Sequence, residues 1–297
     1  LKKRSDFKNF GLLWSATMLI AQLSDLHISC IDPARQAAQH LRAVIRQLNH
    51  TKPDLVILTG DLVADEGLED YLHLKTILAD LHAPYLLLPG NHDDPHTMAH
   101  VFPDAAPPDF SSDFPFWQWR IAINSHNQHI NTSPDNTDLL LIGLDTKRTG
   151  ANTGTICAQR MQWLTQQLSN LPHTPPHVFI FMHHLPFATG IPKFEKVPFQ
   201  NASFLEALIT PSPASPMPVL GIAAGHLHTA IHGCINGVPY SICPSIANGF
   251  SLKVNDKYPL KALSKQPAYL LHGFMANNRH PNSLSWHSYM QTCPVPS

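Results

Sequence analysis

Apolar residues along this chain gather in short, nearly all apolar runs, and five of those runs stop at polar residues that can do chemistry. Met18 to Leu23 ends at Ser24-Asp25-Leu26-His27, and Asp54 to Leu58 ends at Thr59-Gly60-Asp61. Tyr85 to Leu88 ends at Pro89-Gly90-Asn91-His92-Asp93, His177 to Met182 at His183-His184, and Val219 to Ala224 at Gly225-His226-Leu227-His228. Runs this short, with no polar alternation, predict strands covered on both faces. Between the first three, apolar positions return at helical spacing. Ala34, Ala37, Ala38, Leu41, Val44, Ile45 and Leu48 follow an Asp32-Pro33 start signal, and Leu68, Tyr71, Leu72, Lys75, Leu78 and Leu81 mark a second helix. The repeat of strand, motif and helix predicts β-α-β units, with ligand-binding residues just past the C-terminal strand ends.

Further strands are expected at Trp117 to Ile123 and Leu139 to Leu144, and further helices over Gln159 to Leu171 and Phe199 to Ile209. Phe102 to Phe116 and the proline-rich Pro211 to Pro218 read as loops. Asn236-Gly237, between Ala230 to Cys234 and Val238 to Cys243, signals a hairpin. The last fifty or so residues carry no clear periodicity.

Composition narrows the class. With 43% hydrophobic and 14% charged residues, the 297-residue chain can bury a sizeable core and is not a disordered type. A net charge of −1 argues against a nucleic-acid partner. The cysteines are Cys30, Cys157, Cys234, Cys243 and Cys293, an odd number without a C-x-x-C pair. That excludes a disulfide framework and a zinc–thiolate site, and fits reduced thiols in a cytoplasmic protein. The twenty histidines match Lys plus Arg in number, and most need no explanation beyond composition. Residues 1–17 are basic, then mildly apolar, and make a poor signal peptide that is too short to span a bilayer. Met18 is the expected start of the natural chain, with 1–17 a poorly ordered upstream extension, and no other run is long enough to cross a membrane.

Each motif alone is weak. D-x-H and G-D are ordinary turn sequences, and a lone histidine after a strand is more often bonded to backbone. In an extended chain, positions i and i+2 face the same way, which projects Asp25 with His27 and His226 with His228. Asp61 has two oxygens with which to bridge two cations, Asn91 offers a neutral carbonyl, and His92 beside it is left for catalysis. Five strand ends supplying Asp, His, Asp, Asn, His, His and His point to one shared metal site. A set of oxygen and imidazole donors without sulfur suits Mn, Fe, Zn or Co in a two-metal centre.

Taken together, Asp25-x-His27, Gly60-Asp61, Gly90-Asn91-His92-Asp93, His183-His184 and Gly225-His226-x-His228 resemble the calcineurin-like metallophosphoesterases. The resemblance spans about Met18 to Ala247 and is greatest to the bacterial class III cyclic-nucleotide phosphodiesterases. Leu144-Asp145-Thr146, Gln162-Trp163-Leu164, Thr189-Gly190, Gly237-Val238-Pro239 and Pro244-Ser245 support it. It implies a four-layer α/β/β/α sandwich, two mixed sheets with flanking helices, as a catalytic domain over 18–249. Residues 250–297 are then an extension that completes a sheet, caps the pocket or dimerises.

The resemblance also implies roles. One metal takes Asp25, His27, Asp61 and His228, and the other takes Asp61, Asn91, His183 and His226. His184, Asp93 and Asp65 support the ligands or face the substrate. A metal-bridging hydroxide attacks phosphorus, and His92 meets the phosphate or the leaving oxygen. Two departures stand out: Ala64 where relatives often carry an acidic residue, and Leu185 where they often carry proline. The implied substrate is a phosphodiester, a 3′,5′-cyclic nucleotide such as cAMP first, then a glycerophosphodiester or another phosphodiester or pyrophosphate. A non-catalytic scaffold of the same fold is the competing class. Lys147 to Ile156 and Ala188 to Asn201 are the expected pocket rim. Phe187, Phe194 and Phe199 either stack a base or belong to the core. A homodimer and no nucleic-acid or membrane partner complete the expectation.

Overall fold

Strands β6 (Leu139–Leu144) and β7 (His177–Met182) show how the apolar runs are used. Successive side chains of a strand point to opposite faces. Leu139, Leu141, Phe179 and Phe181 pack into one core, while Leu140, Ile142, Leu144, Val178, Ile180 and Met182 pack into another. Neither face meets water, so nothing along these strands needs to be polar. At about 1.5–3 kcal/mol per buried large apolar side chain, this double burial sets the register.

The computed structural model describes residues 14–31, 36–124, 129–131, 139–169, 177–191, 194, 196–210, 219–250, 262–263, 266–277 and 284–294. In chain order the elements are β1 (Trp14–Leu23), α1 (Gln36–Thr51), β2 (Leu55–Thr59), α2 (Leu68–Leu78), β3 (Tyr85–Leu88) and α3 (Pro95–Val101). Next come β4 (Trp119–Asn124), β5 (His129–Asn131), β6, α4 (Ala158–Ser169), β7, α5 (Ala202–Ile209) and β8 (Val219–Ala224). The chain ends with β9 (Ile231–Ile235), β10 (Val238–Ile242), β11 (Gly249–Phe250), β12 (Ala262–Leu263), β13 (Ala268–Asn277) and β14 (Leu284–Thr292).

Two mixed sheets pack face to face. The first has the order β14-β13-β1-β2-β3, with β1, β2 and β3 parallel and β13 antiparallel to both β1 and β14. The second has the order β5-β4-β6-β7-β8-β10-β9, parallel from β6 to β10 and antiparallel at both edges. Leu41, Val44, Ile45 and Leu48 of α1 and Tyr71, Leu74 and Ile77 of α2 cover the first sheet. Leu164 and Leu168 of α4 and Leu205 and Ile209 of α5 join the core of the second sheet. The result is the four-layer sandwich expected from the motifs. Among the described residues no helix is long and apolar enough to cross a membrane.

Three expectations change. β1 begins at Trp14, and Trp14 and Ser15 pair with Asn277 and Ala276, so residues 14–17 belong to the sheet rather than to a loose extension. The cause is the ten-residue partner β13, whose backbone groups run past Met18 and need partners of their own. Residues 1–13, Asp32 to Ala34, Leu171 and 211–218 lie outside the described residues. The strand expected from Trp117 begins at Trp119, and β5 was not foreseen. The tail completes the first sheet through β13 and β14, while Phe250 borders the cavity described below.

Candidate metal centre

All five motifs sit at the same end of the sandwich, where the ends of β1, β2, β3, β7 and β8 meet. The backbone there is unusual. Asp25 (φ 53°), His27 (φ 44°), Asp61 (φ 49°), His226 (φ 71°) and His228 (φ 55°) are all left-handed. The extended geometry expected for D-x-H and H-x-H is therefore absent. The side chains converge through left-handed turns, which cost non-glycine residues energy and concentrate at functional sites. Backbone bonds hold the turns, from Asp25 N to Gly60 O (3.0 Å) and from His27 N to Asp61 O (2.9 Å). Gly60 (φ 87°) is required by space as well as by conformation, because a Cβ there would lie 2.5 Å from His183 Nδ1 and 2.6 Å from Gly90 N.

Two clusters result. Asp25, His27, Asp61 and His228 bring one donor atom each within 4.8 Å of one another, and so do His183, His184 and His226. Asp61 joins them: its Oδ2 is 3.6 Å from His27 Nε2 and its Oδ1 is 3.4 Å from His183 Nε2. Asn91 adjoins the second cluster, its Oδ1 3.1 Å from His184 Nε2. The motif histidines His226 and His228 thus divide, one to each cluster.

Hydrogen bonding fixes which nitrogen faces inward. His183 Nδ1 donates to Thr59 O (2.7 Å) and His228 Nδ1 donates to Asn248 O (2.8 Å), since a carbonyl can only accept. In the neutral rings the Nε2 lone pairs then point at carboxylates, His183 towards Asp61 and His228 towards Asp25 Oδ1 at 3.3 Å. His27 Nε2 and His228 Nε2 lie only 3.1 Å apart. Among the described residues, Asp25 Oδ1 and His183 Nε2 are buried with no hydrogen-bond partner. Lone pairs facing lone pairs in a buried site repel unless a proton or a cation lies between them. The donor set fits two cations.

The electrostatics agree. Burial opposes the Asp61 carboxylate, but His183 and His27 outweigh it and hold it well below the usual range. Asp25 is likewise lowered, its burial overcome by His228 and His183. Burial would discharge His183, yet Asp61 pushes it up to about 9. Burial lowers His27 and His226 to about 4 each and holds His184 well below the usual imidazole range, with His183 adding to the effect on His184 and His226.

The supporting residues sort differently from expectation. His92 N donates to Asp61 Oδ1 (3.0 Å), and His92 Nδ1 donates to Ala64 O (2.7 Å), so its Nε2 is the free nitrogen. Asp93 braces the loops, accepting from Leu62 N (3.1 Å), Gly90 N (2.8 Å) and Tyr71 Oη (3.0 Å). Burial, with Asp61 nearby, raises Asp93 to about 6. Asp65 is exposed and, among the described residues, bonds to no candidate ligand, since the chain turns outward after Ala64. Its neighbour Glu66 instead pairs with Lys147, whose Nζ also donates to Asn91 O (3.3 Å).

A cavity of about 700 Å³ opens over both clusters, lined by His27, Asp61, Asn91, His92, His226 and His228 together with Gly150 to Thr153, Phe194, Lys196, Val197 and Phe250. An adjoining recess of about 350 Å³ is bordered by Phe187, Phe194 and Phe199. Phe187 also packs in the core of the second sheet, and Phe199 lies against that core. Sequence reasoning missed Phe250, which stacks on His228 with ring centroids 4.5 Å apart. An Asn-Gly turn signal at Asn248-Gly249 was the only local hint. It also missed Thr59 and Asn248, which act through carbonyls that any residue type carries.

Residues 18–230 match the family model of the calcineurin-like phosphoesterases, and the chain belongs to that family. It is a metal-dependent phosphoesterase. Its relatives include a glycerophosphodiester phosphodiesterase of Enterobacter lignolyticus, 28% identical over 217 residues that cover 71% of each chain. The 3′,5′-cyclic adenosine monophosphate phosphodiesterase of Escherichia coli is 25% identical over 241 residues, covering 79% of this chain and 78% of that one. In fold the chain is similar to a dimetal phosphatase of Danio rerio, with a TM-score of 0.62 at 14% identity, covering 94% of this chain and 100% of the other.

Proposed function

We propose that the chain hydrolyses a phosphodiester, with a 3′,5′-cyclic nucleotide as first choice. The observation that carries this reading is the pair of clusters sharing Asp61 at the floor of one cavity, with His92 in the wall. Asp25, His27, Asp61 and His228 would hold one cation, and Asp61, Asn91, His183 and His226 the other. Two bound cations would supply Lewis acidity and a water acidic enough to attack phosphorus near neutral pH.

The chain's own residues do the rest. His184 donates from Nε2 to Asn91 Oδ1 when its Nδ1 accepts from the Thr146 hydroxyl (3.0 Å), and this aims the amide oxygen. His92, steadied by Ala64 O, presents Nε2 to the leaving oxygen and, when protonated, gives it a proton. Phe194 and Phe250 flank the cavity mouth, and Phe187 and Phe199 border the recess beside it. Flat apolar walls favour a nucleobase over a glycerol group.

The cyclic-nucleotide and glycerophosphodiester activities of the named relatives frame the test. Purified protein loaded with Mn²⁺, Fe²⁺, Zn²⁺ or Co²⁺ in turn is assayed against cAMP, glycerophosphocholine and a nucleotide pyrophosphate. The expected result is the highest kcat/KM on cAMP. A higher value on glycerophosphocholine would replace the nucleotide reading with the lipid-headgroup one.

A further inference from the structure

Gln22 sits in the middle of the apolar run Met18 to Leu23, where the sequence offers it no role, and it is fully buried between the two sheets. Its hydrogen bonds form a chain with a defined direction. The Trp286 indole can only donate, and its Nε1 lies 3.1 Å from His272 Nδ1. His272 Nδ1 is therefore the acceptor, so Nε2 carries the proton and donates to Gln22 Oε1 at 3.0 Å. Burial supports the neutral ring, lowering His272 to about 3. With its oxygen fixed, the Gln22 amide nitrogen donates to Thr59 Oγ1 (2.9 Å) and to Ala224 O (3.0 Å).

Those two acceptors end the strands that carry the ligands. Thr59 ends β2 in the first sheet, immediately before Gly60-Asp61, and its carbonyl accepts from His183 Nδ1. Ala224 ends β8 in the second sheet, immediately before Gly225-His226-Leu227-His228. Apolar contact between sheets is not directional, whereas metal ligands must be placed to a fraction of an ångström. Gln22 adds a directional link where the two sheets must agree, beside the bonds from His183 Nδ1 to Thr59 O and from His226 N to Asp25 Oδ2.

We propose that Gln22, oriented by His272 and Trp286 of the β13–β14 hairpin, is a positioning residue. It holds the two sheet ends in register so that the cluster of Asp61, Asn91, His183 and His226 binds its cation. The hairpin thereby supports the centre from beyond residue 230, where the family match ends. This inference rests on the metal-centre reading above.

The test is stepwise Mn²⁺ titration of the full chain, with electron paramagnetic resonance of the two-Mn form. Gln22→Met keeps the side-chain length and removes the amide. It should weaken the second binding constant about 10–100-fold, the usual cost of losing a residue that orients a ligand, and should weaken the exchange coupling between the two ions. Trp286→Phe removes only the indole donor and should shift the same constant about two- to tenfold, the worth of one hydrogen bond. Leu271→Ala removes apolar burial from the same strand without touching the chain of bonds. It should lower Tm and leave both constants alone.

Wild-type constants and coupling in both Gln22→Met and Trp286→Phe overturn the proposal. If Gln22→Met does not fold, wild-type behaviour of Trp286→Phe overturns it alone. A second constant that falls equally in Leu271→Ala also overturns it, because the effect is then general destabilisation. A wild-type protein that never takes up two ions sinks the metal-centre reading itself.

Discussion

The two clusters that meet at Asp61 share one geometry but not one chemistry. The first combines Asp25 and Asp61 with His27 and His228, and two of its side chains reach the surface, His27 at 19% exposure and His228 at 11%. The second gathers the buried His183 and His184 and the partly exposed His226 around a single oxygen of Asp61 and the neutral amide of Asn91, and His183 is fully covered. Two carboxylates attract a cation without help. A half-share of one carboxylate attracts it less, and without a cation Asp61 holds a proton on His183 instead. The clusters should therefore fill in order, the carboxylate-rich one first, and the histidine-rich one should control the working form of the enzyme. A chemically uneven pair also leaves one position better able to exchange its ion.

Asp61→Asn gives the largest expected effect, because it takes charge from both clusters at once. Losing one group that stabilises developing charge costs about 10²–10³ in kcat, so turnover should fall at least about 10³-fold when both cations lose a ligand. Metal analysis should find less than one ion per chain. If two ions remain and activity holds, Asp61 does not join the clusters.

His92→Ala comes next and separates chemistry from binding. Proton transfer to a leaving group contributes about 10²–10⁴-fold, so cAMP turnover should fall by that order with both metals retained. Bis-p-nitrophenyl phosphate, whose leaving group needs no proton, should be hydrolysed nearly as before. An equal loss on both substrates would assign His92 to phosphate binding.

The contrast in proton affinity can be read from stability. A histidine whose folded pKa is raised contributes stability that is fully present below its unfolded value, near 6.5, and is lost as pH climbs through the folded value. For His183 that window runs from about 6.5 to about 9, and His228, raised by Asp25, contributes in the same direction. Asp93, at about 6, and His27 and His226, at about 4, titrate below it. The Tm of chelator-treated protein should therefore drop from pH 6.5 to pH 9. With saturating Mn²⁺ the drop should vanish, since a cation at His183 Nε2 replaces the proton. A metal-free Tm that rises across this range would show that His183 carries no stabilising proton.

The share of this site that sequence could reveal follows from what each part depends on. The convergence of Asp25, His27, Asp61, Asn91, His183, His226 and His228 was legible because each motif ends an apolar run, and burial on both faces leaves few alternatives for such a run. Their conformation was not legible: left-handed φ at Asp25 and His226 comes from bonds to partners on other strands, such as Gly60 O and Asp25 Oδ2. Gln22 was invisible because a single polar residue in a buried strand acquires meaning only when His272, 250 positions away, is brought against it. Asp65 makes no bond to a candidate ligand among the described residues, because proximity in sequence to Asp61 says nothing about where the chain goes after Ala64. β13 and β14 lacked a signal because His272 and Trp286, polar-tipped residues with buried roles, blur the apolar pattern.

Under the proposed nucleotide reading, the smallest expected effect bears on which cluster would face the base. Each cluster has one histidine covered by a phenylalanine. Phe250 stacks on His228 at 4.5 Å with the rings 17° from parallel, and Phe194 meets His226 edge-on at 5.2 Å and 70°. A base entering from the first side displaces or extends a stack, while one entering from the second meets a ring edge. An aromatic pair is worth about 0.5–1.5 kcal/mol beyond its burial, so removing the ring that holds the base should raise KM for cAMP about two- to tenfold. Because Phe250 already offers a ring face parallel to His228, Phe250→Ala should give the larger KM change, with kcat nearly constant. Glycerophosphocholine, which has no ring to stack, should respond to neither variant. A larger KM change in Phe194→Ala would move the base to the histidine-rich side, over the recess bordered by Phe187 and Phe199.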